Sequence, residues 1–407
     1  MKQIKGGVTA AKGFKAASTA AGIKYKDRTD MAMIYSEVPC AVAGTFTTNI
    51  VKAAPVKWDQ HVVYDSKKAQ AVIVNAGIAN ACTGEEGMGY CKATAEKVNK
   101  LLQIPTDEVL VASTGVIGMQ LPIDRICAGV ETMVPQLNGD IESGHNAALA
   151  IMTTDTHEKE VAVEIELSGK TVTIGGMCKG SGMIHPNMGT MLCFITTDCA
   201  VSSEMIRKAL LFNVKRTFNR VTVDGDTSTN DMCTVLANGM AGNAEITAED
   251  PAYEAFREAL QTVMQDLARK IAADGEGASK LMTCTVKGAK DEETAEVLAK
   301  SIAGSSLTKA AMFGSDANWG RVLCAMGYSG AEFNTEKVLV EFASKEGSIA
   351  VCEDGRGLDF DEDLAKKILS QDEVEINVTL QEGSGRATCW GCDLTYDYVK
   401  INGDYRT

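Results

Sequence analysis

The chain has 407 residues, more than one hydrophobic core usually organises, so two structural halves are expected. Hydrophobic residues make up 45% and charged residues 23% of it, the balance of a compact globular protein rather than a disordered or fibrous one. A formal net charge of -14, with no cluster of Lys or Arg able to track a phosphate backbone, argues against a nucleic-acid partner.

The N-terminal Met1-Lys2-Gln3-Ile4-Lys5-Gly6-Gly7 lacks the apolar stretch of a signal peptide, and no run of about 18 apolar residues follows. A cytoplasmic protein without a membrane partner is the expectation. In chain order, alternation predicts strands at 71–74 and 109–112, with helices at 85–102 and 123–137. Next comes a hairpin whose strands, 161–167 and 171–174, are joined by Ser168-Gly169-Lys170. Helices follow at 203–212 and 250–272; in the second, Pro251 stands near the first turn, and Tyr253, Phe256, Leu260, Val263 and Leu267 recur at three- and four-residue steps. Further helices at 292–302 and 361–369 and strands at 337–342, 348–352 and 373–380 complete the pattern. Strands and helices interleave without a fixed βαβ period, which predicts an α/β fold, a layered sandwich with mixed sheets. No linker or repeat marks a domain boundary.

Thirteen cysteines, an odd number, are scattered singly through apolar stretches and read as reduced thiols. The one CxxC, Cys389-Trp390-Gly391-Cys392, has no second pair and no nearby His, so it is assigned to the core rather than to zinc. His61, His145, His157 and His185 share no ligand spacing, and Asp224-Gly225-Asp226-Thr227 with Asp231 lacks the closing glutamate of a calcium loop.

The unusual segment is Gly175-Gly176-Met177-Cys178-Lys179-Gly180-Ser181-Gly182-Met183-Ile184-His185-Pro186-Asn187-Met188-Gly189-Thr190. It reads as a flexible loop that delivers Thr190 to the start of the apolar stretch 191–195. Such a pattern commonly means only a glycine-rich turn entering a core strand. It also suits an N-to-O acyl shift, because Gly189 lets the backbone bend and the Thr190 hydroxyl can reach the preceding carbonyl. Scission would leave Thr190 with a free α-amine of reference pKa about 7.7 to 8.0, a built-in base for its own hydroxyl.

The run Lys179 to Leu192 closely resembles the cleavage segment of the ornithine acetyltransferase family. The likeness extends through Gly7-Val8-Thr9-Ala10-Ala11-Lys12-Gly13-Phe14, Asn75 to Gly84, Ser113-Thr114-Gly115-Val116-Ile117-Gly118 and Thr153-Thr154-Asp155-Thr156. It continues in Phe218 to Asp231, Gly275 to Lys280, Asn318-Trp319-Gly320-Arg321 and Tyr396 to Asn402. The resemblance implies self-cleavage between Gly189 and Thr190 into an α fragment, 1–189, and a β fragment, 190–407, which assemble into a heterotetramer of two α and two β fragments. It implies an acyltransferase of arginine biosynthesis in which Thr190 takes the acetyl group from N-acetylornithine and glutamate then removes it. No metal or organic cofactor is required. Thr114 and Gly115 match the oxyanion hole, while Thr153, Lys179, Thr190, Glu276, Asn402 and Thr407 match substrate-binding positions. The sequence departs from the family pattern at Ile78, where a second Asn is usual, and at Gly189, where Ala often stands.

Three alternatives stay open on sequence. A monofunctional transferase would use no acetyl-CoA, an N-terminal-nucleophile amidase or aminopeptidase would let water deacylate Thr190, and an uncut binding protein would do neither.

Overall fold

The computed structural model describes residues 1–185 and 191–404. The chain forms two compact units. The main one comprises Met1–Gly180, Thr227–Leu267 and the described part of 187–219. The second comprises 181–185, Arg220–Asp226 and the described part of 268–407. These units are a different division from the two fragments expected of a cut at Gly189.

The main unit is built on strands β1 (Lys2–Ile4), β2 (Phe14–Thr19), β3 (Met31–Phe46), β4 (Lys68–Ile78), β5 (Val109–Val116), β6 (Lys159–Leu167), β7 (Lys170–Lys179) and β8 (Leu192–Thr197). After β9 (Val221–Thr222), which belongs to the second unit, comes β10 (Met232–Ala237). Strand order is β1-β6-β7-β8-β10-β3-β4-β5, with β2 also paired to β3. The sheet is mixed: β4 with β5 and β8 with β10 are parallel, and the other neighbours antiparallel.

Sixteen-residue β3 is the hinge of this sheet. Its first part, from Met31, pairs with β4, and its last part, Ala41 to Phe46, with β10. Between them the β4 register shifts, at Tyr35/Cys40. Pro39 lies in that gap and has no N–H to give a ladder, which suits a bulge. Both parts then contribute to one core: Val72, Val74, Leu110 and Ala112 from one half, and Val42, Phe46, Leu192, Phe194 and Met232 from the other. Alternate residues of the first half, Met31, Met33, Ile73 and Val111, face a second core with α2 (Glu86–Leu102) and α3 (Ile123–Met133). On the other half, a Cβ at Gly176 in β7 would lie 3.2 to 3.4 Å from Leu267 and Val263 of α6 (Pro251–Ala273). Helices α1 (Ala54–His61), α4 (Ile141–Ala150) and α5 (Ser203–Arg216) complete the unit.

Several differences from the expected elements have local causes. Helix α3 stops at Met133 and a short 3-10 turn follows, because Pro135 supplies no N–H and its ring clashes with an α-helical continuation. The β6–β7 turn has two residues rather than three, Ser168 and Gly169, both left-handed at φ 52 and 77, the conformation that matches strand twist. The glycine-rich segment is not a loop in its first part: Gly175 to Lys179 continue β7. There glycine permits close packing, since a Cβ at Gly175 would lie 2.0 Å from the Gly7 carbonyl oxygen.

The second unit is a seven-stranded sheet in which β9 is joined by β11 (Leu281–Ala289), β12 (Leu339–Ser344), β13 (Gly347–Glu353), β14 (Arg356–Gly357), β15 (Glu373–Thr379) and β16 (Gly385–Cys392). Their order is β14-β13-β12-β15-β11-β16-β9. Helices α7 (Glu292–Gly304), α8 (Ser306–Phe313), α9 (Trp319–Gly327) and α10 (Glu362–Leu369) share its core, and α11 (Tyr396–Gly403) ends the described chain. Cys389 and Cys392 are buried in β16; burial pushes the Cys389 thiol up to about 12. The fold is thus α/β with mixed sheets, as the element pattern predicts.

Candidate functional site

Of the site residues expected from sequence, Thr114, Gly115, Thr153 and Lys179 lie in the main unit, and Glu276 and Asn402 in the second. Gly189, Thr190 and Thr407 lie outside the described residues.

In the main unit, Thr114 and Gly115 are half-buried near the end of β5. Gly115 pairs with Gly77 of β4, at φ 125 and 109, conformations that favour glycine. A Cβ on Gly115 would lie 2.2 Å from the Gly77 carbonyl carbon, so the strand ends approach closely only because residue 115 is glycine. Buried Asn230 steadies this end by donating to the Ser113 carbonyl (2.8 Å) and the Ala79 carbonyl (2.5 Å).

Lys179, the last residue of β7, gathers the group. Its Nζ donates to Thr153 Oγ1 (2.7 Å) and Thr114 Oγ1 (3.4 Å) and lies 3.6 Å from Asp155 Oδ2. Asp155 is fully buried and also accepts from Lys159 Nζ (2.8 Å), Gly180 N–H (2.7 Å) and Thr153 N–H (3.1 Å). Burial alone would raise this carboxyl, but the charges of Lys179 and Lys159 hold it well below the usual carboxylate range. The Asp155 carboxylate thus faces both ammonium groups and holds Lys179 where its Nζ meets the two threonine hydroxyls. Because Thr114 Oγ1 accepts from Lys179, its own O–H proton is left to donate elsewhere.

In the second unit, Glu276 is buried and its Oε2 accepts from Asn402 Nδ2 (2.7 Å). Glu276 N–H donates to the Ser181 carbonyl (2.9 Å). Gly182 makes room for the carboxyl, since a Cβ there would be 2.3 Å from it. Gly277, at φ 69, similarly lets α11 approach, because a Cβ would be 2.6 Å from the Tyr398 amide. Burial and the carboxylates of Asp224, Glu276 and Asp226 push the Tyr398 phenol up. The Asp224 carboxylate is occupied by the Met183, Ile184 and Asp226 N–H groups. His185 Nδ1 is 3.0 Å from Thr222 Oγ1, and burial lowers its pKa.

Sequence reasoning did not single out Asp155 as part of the site, although it stands inside a quoted motif. The available signal was an acidic residue four positions before a Lys that opens a strand.

The described part of the site is thus a buried ammonium group at the end of β7 that reaches the hydroxyls of Thr114 and Thr153. Residues 15–407 match the ArgJ family. The chain is 52% identical over 396 residues to "Arginine biosynthesis bifunctional protein ArgJ 1" of Clostridium acetobutylicum, covering 97% of this chain and 96% of the relative. A solved "Arginine biosynthesis bifunctional protein argJ" from Bacillus halodurans is 46% identical, with a TM-score of 0.49, over 52% of this chain and 97% of that one. A solved ornithine acetyltransferase from Mycobacterium tuberculosis, complexed with ornithine, is 46% identical, with a TM-score of 0.42, over 45% of this chain and 95% of that one. The chain belongs to the ArgJ family, and is an acyltransferase of arginine biosynthesis.

Proposed function

We propose that the chain cuts itself between Gly189 and Thr190 and then moves an acetyl group from N2-acetylornithine to glutamate through an acetyl-threonine intermediate. The observation that supports this reading best is the Lys179–Thr114–Thr153 cluster, in which one buried ammonium group reaches both hydroxyls. The Thr190 oxygen attacks the acetyl carbonyl while its proton passes to the residue's own α-amine. The oxyanion is stabilised by the Thr114 hydroxyl and the Gly115 N–H. Collapse breaks the amide C–N bond, and the departing ornithine nitrogen takes the proton. The glutamate amine then attacks acetyl-Thr190 and leaves as N-acetylglutamate, restoring the hydroxyl. Charge type pairs Lys179 with a substrate carboxylate and Glu276 with the ornithine side-chain ammonium. Thr153, Asn402 and Thr407 complete the substrate contacts. Acetyl-CoA loads the same threonine as a second donor. The two fragments form a cytoplasmic heterotetramer; among the described residues, no helix is long and apolar enough to cross a membrane.

Incubation with N-acetylornithine, with and without glutamate, tests the reading. A transferase makes N-acetylglutamate only when glutamate is present, whereas equal release of acetate in both tubes would identify a hydrolase. Thr114→Val removes the hydroxyl at nearly constant volume. It should lower kcat by about a hundredfold to a thousandfold, the loss typical of one oxyanion donor. A loss below twofold would assign Thr114 to structure.

A further inference from the structure

Residues 20–30, between β2 and β3, form a loop that contains none of the expected site residues, and its base is fixed. The buried Asp30 carboxyl accepts from the Ala21 N–H (2.7 Å) and the Ile23 N–H (2.6 Å). Asp30 N–H donates to the Thr19 carbonyl (3.1 Å), and the Asp30 carbonyl accepts from the Ala76 N–H (2.8 Å). From this base the loop reaches two parts of the site in the main unit. Lys24 lies against Gly77, the partner of Gly115, because a Cβ on Gly77 would be 3.0 Å from the Lys24 Cβ. Arg28 lies against the segment that carries Thr153: its Nη2 donates to the Met152 carbonyl (2.5 Å) and the Thr153 carbonyl (3.3 Å).

The two cations gather at one aromatic ring, with Lys24 Nζ 4.8 Å and Arg28 Cζ 6.0 Å from the centre of Tyr25. Among the described residues neither is paired with a carboxylate, although the chain carries a net charge of -14, and Nε and Nη1 of Arg28 have no hydrogen-bond partner. Up to three N–H groups of a planar, permanently charged fork are therefore left for an anion.

The second half-reaction needs such a group. Ornithine carries a side-chain ammonium and glutamate a side-chain carboxylate, so an anion placed for the first repels the second. Lys179 meets one of glutamate's two carboxylates, and the other needs a cation of its own. Arg28 is within range. The residue whose hydroxyl accepts from Lys179 is also the residue whose carbonyl accepts from Arg28, which puts Arg28 Nη2 at most roughly 11 Å from Lys179 Nζ. An extended glutamate holds its carboxylate carbons about 5 Å apart. With a charge-assisted contact of about 3 Å at each end it spans that distance.

We propose that Arg28, with Lys24 beside it, forms the subsite for the side-chain carboxylate of the acceptor amino acid and sets the specificity of the second half-reaction. The assignment rests on the two-step acetyl-transfer reading above. Arg28 supplies the hydrogen bonds, Lys24 strengthens the field at the same loop, and the Tyr25 ring keeps the two cations together.

The experiment compares wild type, Arg28→Gln and Arg28→Lys in three measurements: the single-turnover burst of ornithine from N-acetylornithine, kcat/KM for glutamate, and the preference for glutamate over its neutral isostere glutamine. Arg28→Gln should load its acetyl group within twofold of wild type. Its kcat/KM for glutamate should fall about tenfold to a hundredfold, the loss expected of one hydrogen bond to a charged group, and its preference over glutamine should fall by the same factor. Arg28→Lys keeps the charge and should recover part of that preference. An unchanged preference would overturn the proposal. So would loading and transfer falling together, which would make Arg28 only a clamp on the Thr153 segment, or a loss confined to loading from acetyl-CoA, which would give the cations to a phosphate. If Arg28→Gln does not fold, Lys24→Met leaves the Met152 and Thr153 contacts in place and must lower the preference instead; an unchanged preference there overturns the proposal equally. A wild type that neither loads from N-acetylornithine nor passes the acetyl group to glutamate would overturn the acetyl-transfer reading itself.

Discussion

Thr190→Ala should give a single 407-residue chain with no acetyltransferase activity, whereas the wild-type protein should give a fragment of 189 residues and one of the remaining 218. Both effects follow from one hydroxyl. Without it, no oxygen attacks the Gly189 carbonyl, so no ester forms for water to open, and later no oxygen accepts the acetyl group. Thr190→Ser keeps the oxygen and should still cut, more slowly, because the unbranched side chain is held less firmly in one rotamer. The measurement is a denaturing mass spectrum beside an assay of N-acetylglutamate formation. Intact chains in fully active wild-type protein would end the mechanism.

Deleting Asn402 to Thr407 should leave self-cleavage and thermal stability near wild type while acetyl transfer from N-acetylornithine falls by orders of magnitude. Terminal residues are usually dispensable, and α11 has no buried residue; Tyr396 is 85% and Val399 70% exposed. Little packing is therefore lost with its last turn. What is lost is the Asn402 amide at Glu276, whose buried carboxylate then has one donor fewer and is less well oriented for an ammonium group. Product formation and the Michaelis constant of the truncated protein decide the matter. Unchanged turnover with an unchanged constant would make the tail an ordinary frayed end.

The parts legible in the sequence were those set by short-range periodicity. The apolar steps of 250–272 appear as α6, Pro251–Ala273, and the alternation around 161–174 as the β6–β7 hairpin. The bent β3 was not legible, because Met31 to Phe46 is apolar on both faces and its kink depends on which strand each part pairs with. Resemblance could not separate chemistry from architecture either. Lys280, in a quoted motif, donates to the Met312 and Leu369 carbonyls at the ends of α8 and α10, and Asn318 caps α9. Arg220 pairs with Glu292 and Glu296. Ile78, where the family usually has Asn, is buried in the core beside α2 and α3. Only three-dimensional placement distinguishes Lys280 from Lys179, which has the same charge.

The strand order β7-β8-β10-β3 has a consequence for ownership of the sheet. Strands β8 and β10 come after residue 190, while β7 and β3 come before it. A cut at 189/190 therefore does not separate two bodies; it leaves the second fragment's two strands inlaid in the first fragment's sheet, laddered on both sides over six residue pairs each. Parting the fragments would strip two ladders at once and open the core that Leu192, Phe194 and Met232 share with Val72 and Leu110. The first fragment alone would present two bare apolar edges of the kind that invite aggregation. For a chain cut there, synthesis as one polypeptide would be the assembly device: the peptide bond would guide the inlay into place and, once the ladders had formed, would become dispensable.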